Sequence, residues 1–172
     1  MKVCFITTSF IRSPKDHYAR FVYEQAKSLR LADRSIEVLV IAPHAPGLAT
    51  HEVIDGLEVH RKRYFWPSGL QRLAYQHEGL FETLRCSPVA AVQLPFLLLA
   101  LLVELGKASK DAQIIHAQWI PTAAIALLVG RLRRIPVVVS VRGADLNTVR
   151  KSRVGRELTC AVLAHVRGEG TK

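Results

Sequence analysis

Between Thr7 and Ser13, just after the first strand-like run, this 172-residue chain has no glycine at all. That excludes the Gly-x-Gly-x-x-Gly turn through which a backbone approaches the pyrophosphate of a dinucleotide. The sequence also lacks a GxxxxGK[ST] phosphate loop, an HExxH helix and a GxSxG nucleophile elbow, so those chemistries lose their residues. Cysteine is scarce. Cys4, Cys86 and Cys160 lie far apart and make neither a CxxC pair nor a zinc spacing, so free thiols in a reducing compartment are expected. None of the seven histidines sits at metal spacing from a second ligand. Met1-Lys2 leads straight into a strand-like run without a cleavage site, so no secretory signal is expected.

Acidic residues are few, 14 against 24 lysines and arginines, for a net charge of +10. Residues 1–60 hold seven basic and seven acidic side chains, and residues 61–172 hold seventeen and seven. The surplus belongs to the second part. It suits an anionic partner such as phosphate, acidic lipid or nucleic acid, or equally a solvated surface or a face for an acidic protein. The composition is otherwise that of a globular protein, 49% hydrophobic and 22% charged, with length for one ordinary domain and not two.

From Pro88 to Leu105 the chain is nearly all apolar, interrupted by Gln93, Pro95 and Glu104. The run Leu94–Val103 falls short of the roughly 20 residues that cross a bilayer. A buried or interfacial helix is expected there, flanked by Arg85 and Lys107.

Hydrophobic patterning predicts a strand at Lys2–Thr7 and a helix capped by Ser13, with Pro14 in its first turn and Asp16 as the capping-box acid, running to about Leu31. A β-branched strand at Ile36–Ile41 completes a βαβ unit. Asp55-Gly56 reads as a turn before a strand at Leu57–Arg61, followed by the basic cluster Arg61-Lys62-Arg63. Residues 70–107 read as helical, broken near Pro88 and Pro95. Strands are predicted at Gln113–Ala117 and Val137–Val141, with an Ala- and Leu-rich helix from Pro121 between them. The basic segment Arg150–Val166 reads as a further helix. The result is an α/β domain over residues 1–150, an open, mainly parallel sheet with helices on both faces, and a basic extension over 151–172.

In such a sheet the loops that follow strands gather at one edge, where ligands bind. Three loops qualify. The first carries Ser9, Phe10, Arg12, Asp16 and His17. The second carries His116, Gln118 and Trp119. The third carries Arg142, Gly143, Asp145 and Asn147.

In order along the chain, "ITTSFIRSPKDHYARFVYEQAKSLR", "EVLVIAPH", "DGLEVHRKRYFWP", "DAQIIHAQWIPTAAIA" and "IPVVVSVRGADLN" resemble the amino-terminal, acceptor-side half of retaining glycosyltransferases of the GT-B architecture, family 4. The resemblance covers Met1 to about Asn147, and more loosely to Val166. It implies a Rossmann-like fold and a hexosyltransferase-type activity that moves a sugar from a nucleotide-sugar to a glycan or lipid-linked acceptor with retention. No metal or other cofactor is implied, and the Asp-x-Asp pair of the other large sugar-transferase architecture is absent.

The resemblance also assigns roles. The first loop would face donor phosphate and acceptor. The family's Gly-Gly pair is replaced there by Ser13-Pro14-Lys15-Asp16-His17, so Lys15, His17 or Arg20 would supply charge, while Ser13 and Asp16 also serve as helix caps. His116 matches the first histidine of the family's Asp-x-x-His-x-His segment, as a catalytic or a structural residue. Gln118 stands at the second histidine and can hydrogen-bond a sugar hydroxyl but carries no proton. That is tolerable, because the leaving phosphate is expected to take the acceptor proton. Trp119 would stack on a sugar or pack internally. Gly143 would allow an unusual backbone angle, Asp145 would bind acceptor hydroxyls as the second catalytic candidate, and Arg142 would pair with phosphate or with Asp145.

The family's donor-binding half, with a basic pair and two glutamates eight residues apart, is not recognisable before Lys172, so the chain alone is expected to bind nucleotide-sugar poorly and turn over negligibly. The expected place is the cytoplasm, with peripheral contact on the inner, anionic face of the membrane. The rival readings are a non-catalytic basic module for nucleic acid, for which no recognised motif appears, and a docking domain for a separate donor-binding subunit.

Overall fold

The computed structural model describes residues 1–71, 73–75, 83–84, 87–141, 157 and 160. Six strands form one sheet: β1 (Lys2–Ile6), β2 (Glu37–Pro43), β3 (His51–Ile54), β4 (Leu57–Lys62), β5 (Ile114–Gln118) and β6 (Val137–Ser140). Their order is β3-β4-β2-β1-β5-β6. Every pairing is parallel except β3 with β4. Helix α1 (Arg20–Ala32) joins β1 to β2, α2 (Pro88–Ala108) precedes β5, and α3 (Ile120–Arg133) joins β5 to β6.

Strand periodicity sorts the core into two layers. Val3 and Phe5 of β1, with Val38 and Val40 of β2, pack against Val22, Tyr23 and Ala26 of α1. The alternate residues Cys4, Ile6, Leu39 and Ile41 face the other way, onto Leu97, Leu101 and Leu105 of α2 and Ala126 and Val129 of α3. Helices therefore cover both faces. Burial pushes the Cys4 thiol up to about 11, and Cys4 and Cys160 are free.

Four features differ from the sequence expectation. The first helix starts at Arg20, not at Ser13. Asp16 is drawn back by Arg12 (Nε to Oδ2, 2.7 Å) and by the amides of Arg12 and Tyr18, and Ala19 takes a left-handed φ of 51°, so residues 13–16 form a turn. An unexpected strand, β3, pairs with β4 through Asp55 and Gly56, both at positive φ, the backbone of a tight hairpin turn. Of the two breaks expected in the apolar stretch, the one at Pro88 is present and the one at Pro95 is not. Pro88 is its start, capped by Ser87 Oγ, and Pro95 lies inside a continuous 21-residue helix. Arg61, the first residue of the basic cluster Arg61-Lys62-Arg63, is wholly buried, a place its charge does not announce.

At 21 residues α2 is long and apolar enough to span a bilayer, which the shorter uninterrupted run concealed. Its inner face, including Gln93, Leu97, Leu101 and Glu104, is buried on the sheet. Its outer face exposes Val89, Val92, Phe96, Leu99 and Val103, at alternating steps of three and four residues.

Candidate functional site

The strand order reverses between β1 and β5. From β1 the chain moves outward to β2; from β5 it moves the other way, to β6. This is the switch point at which open parallel sheets form a crevice beyond their carboxyl ends. The loop after β1 and the turn after β5 flank it.

β5 carries His116 and Gln118 on the α1 face of the sheet, two residues apart. His116 stacks on Phe5 of β1, ring centroids 4.6 Å apart, and its Nε2 lies 2.8 Å from Ser140 Oγ at the end of β6. Gln118 Nε2 donates to Gln25 Oε1 of α1 at 2.8 Å. A polar chain thus ties the ends of β5 and β6 to α1. The buried Gln118 Oε1 has no hydrogen-bond partner among the described residues, an acceptor awaiting a donor.

Trp119 follows with φ 69° and ψ 159°, a region almost reserved for glycine and the kind of strain that gathers at functional sites. Its amide donates to Ser140 O at 3.0 Å, and its ring meets Phe21 of α1 edge-on at 5.4 Å. The start of α1 and the turn after β5 therefore touch, although nearly 100 residues separate Phe21 from Trp119 in the sequence. Thr122 Oγ1 donates to the carbonyls of Gln118 and Trp119, which closes the turn.

Both helices that begin at this edge lack a side-chain cap and an acidic residue in the first turn. The positive ends of the two helix dipoles therefore face this edge with no carboxylate in the first turn to offset them. In the first loop, Thr7 Oγ1 donates to Ser9 O at 2.7 Å. Asp16 is held well below the usual carboxylate range, chiefly by the hydrogen bond from Arg12 and then by the amides of Tyr18 and Arg12. Arg61 braces the loop from beneath: its guanidinium donates to Ile11 O at 2.7 Å and to Tyr75 Oη at 2.9 Å, and pairs with Glu52 at 2.6 Å.

The structure distributes the expected site residues unequally. His116, Gln118 and Trp119 come together at the switch point. His17 is exposed beside it, and Arg20 pairs with Glu24 at 3.1 Å. Asp16 knots its own loop. Phe10 is fully buried, packed against Tyr23 and under the Arg61 guanidinium, so its ring is not exposed at this edge. Arg142, Gly143, Asp145 and Asn147 lie outside the described residues, as does the extension after Arg150 apart from the exposed Glu157 and Cys160. β6 ends at Ser140, in register with Gln118, so the chain enters the third loop at the same edge. Sequence reasoning missed Ser140, Gln25 and Arg61. Only the pairing of strand ends reveals the first two, and a buried arginine inside a basic triplet gives no signal of its own.

Residues 18–168 match the model of a family described as glycosyl transferase 4-like domain. No curated protein matches the chain in a sequence search. Among solved structures, sucrose-phosphate synthase from Thermosynechococcus elongatus superposes with a TM-score of 0.61 at 13% identity, over 94% of this chain and 40% of that one. A shortened form of the same synthase gives 0.53 at 13% identity, over 87% and 68%. At such identity the likeness is one of fold, and this chain spans well under half of the full-length synthase.

Proposed function

The chain belongs to the family of glycosyl transferase 4-like domains, and from that membership we propose that it is the acceptor-side half of an enzyme that moves a sugar from a nucleotide-sugar to a glycan or lipid-linked acceptor with retention. One observation carries this reading. Two uncapped helix starts meet at the switch point beside His116 and Gln118, where amide dipoles suit a phosphate and polar side chains suit a sugar. Gln118 Oε1 accepts from an acceptor hydroxyl, and His116, oriented by Ser140, lies next to it. Trp119 borders the same edge. A donor-binding half supplies the remaining contacts to the nucleotide.

The proposal extends to an acceptor at a membrane surface. The outer face of α2 presents five apolar side chains, and Lys107, Arg131, Arg133 and Arg134 stand at the ends of α2 and α3. An apolar helix face with basic neighbours suits an anionic leaflet. Backbone NMR of the isotope-labelled chain, titrated with soluble glycans and with detergent-solubilised polyprenyl phosphosugars, tests the acceptor reading. Shifts concentrated in residues 7–17 and 116–121 support it. Shifts produced instead by random oligonucleotides, and by no sugar compound, would favour a nucleic-acid module.

A further inference from the structure

His51 and His60 lie directly opposite each other in the antiparallel β3–β4 ladder, ring centroids 4.3 Å apart. Glu104 reaches them from the last turns of α2, its side chain only 7% exposed. One ligand atom from each of the three lies within 4.8 Å of the other two. His60 is flanked by carboxylates on both sides: Nδ1 is 2.8 Å from Glu104 Oε1, and Nε2 is 2.8 Å from Glu58 Oε1. A neutral imidazole has only one N–H, so making both contacts at once takes either a second proton on the ring or a cation at one of its nitrogens. Lys62 Nζ takes the other oxygen of Glu104, Oε2, at 2.8 Å, which leaves Oε1 turned toward the histidines.

We propose that His51, His60 and Glu104 form a three-ligand site for a divalent transition metal of the zinc class, clasping the β3–β4 edge to α2. Two imidazole nitrogens and one carboxylate oxygen are a donor set zinc accepts in tetrahedral geometry. Metal–ligand distances of about 2.0–2.1 Å put tetrahedral ligand atoms about 3.3 Å apart. His60 and Glu104 need part by only ~0.5 Å to admit the ion at that spacing, while the exposed His51 turns inward. Glu58 accepts the Nε2–H of His60 and so fixes the tautomer that bares Nδ1 to the metal, the outer-shell arrangement that orients metal-bound histidines. Lys62 holds Glu104 in the same way. Water completes the fourth position on the exposed side of His51. The site lies at the sheet edge, on the α2 face and so opposite His116 and Gln118, and does not depend on the sugar-transfer reading.

The test is titration of the chelator-treated chain with Co²⁺, followed by displacement with Zn²⁺. The expected result is a visible d–d absorption that saturates at equimolar Co²⁺ and is erased by Zn²⁺, with a thermal midpoint raised by Zn²⁺. His51→Ala alters an exposed side chain and spares folding; it abolishes the absorption. Glu58→Gln weakens binding about 10-fold. Absence of the absorption in the wild-type chain overturns the site. So does unchanged Co²⁺ affinity in both His51→Ala and Glu104→Gln.

Discussion

Arg61 donates to the carbonyl of Ile11 at 2.7 Å from a position without solvent exposure. The end of β4 thereby holds the loop that follows β1, and the loop's shape depends on a charge 50 residues away. Tyr75 shares the arrangement, accepting from Arg61 and donating to Pro43 O at 2.8 Å. Replacing Arg61 by Met strands the Ile11 carbonyl and leaves Glu52 without its partner. The expected cost is on the order of 3 kcal/mol, as for other broken buried pairs, read from urea denaturation. A loss below about 1 kcal/mol, the value of a surface pair, would show that the guanidinium does not organise this loop.

Gly130 sits where α3 presses on β6. A Cβ there would collide with Val137 Cγ2 and lie 2.8 Å from the Ile135 carbonyl. Part of that contact is backbone, so the neighbour cannot simply swing away. Gly130→Ala is expected to destabilise by about 1–3 kcal/mol despite alanine's better helix propensity. A stabilised variant in thermal denaturation would mean that α3 and β6 stand further apart than described.

Asp16 gives the fold an acid limb. Its folded carboxyl is depressed, principally by Arg12, so its contribution is present above the unfolded value of about 3.9 and is lost as pH falls through the folded one. Stability of the wild-type chain should therefore decline with acidification below about pH 4 more steeply than that of Asp16→Asn. Superimposable acid limbs for the two proteins would place Asp16 outside any folded-state ion pair.

Much of this was legible in the sequence and some was not. The buried apolar runs in β1 and β2 announce a parallel sheet because both faces are covered, and the order of elements then places the loops at one edge. Asp55-Gly56 announced a turn, yet β3 went unread, since His51-Glu52-Val53-Ile54 is too short to show periodicity before its partner is known. Ser13 and Asp16 wrote a convincing capping box that the structure does not use. Asp16 finds a stronger partner in Arg12, and local propensity yields to that ion pair and to the left-handed Ala19. His116 and Gln118 were singled out by their place at the end of a predicted strand and by the family resemblance, whereas Gln25 and Ser140, which hydrogen-bond them, are visible only once α1 and β6 are in place.

Leu99 lies midway along the exposed stripe of α2 and is 58% exposed, so Leu99→Glu should leave folding intact. On an anionic leaflet the change forfeits about 2 kcal/mol of apolar transfer, roughly 30-fold in partitioning. Flotation with vesicles of phosphatidylglycerol and phosphatidylcholine should show wild-type binding that fails with phosphatidylcholine alone and with Leu99→Glu. Equal flotation of variant and wild type would remove the membrane from the account.

The transfer reaction itself decides the central claim. The chain, supplied with a donor-binding half, is incubated with labelled nucleotide-sugars and polyprenyl-linked or free glycan acceptors, and the anomeric configuration of the product is read by NMR. The expected product has a configuration that matches the donor, with kcat/KM falling roughly 100-fold in His116→Ala through lost positioning. No transfer from any nucleotide-sugar, or a product of inverted configuration, would contradict it.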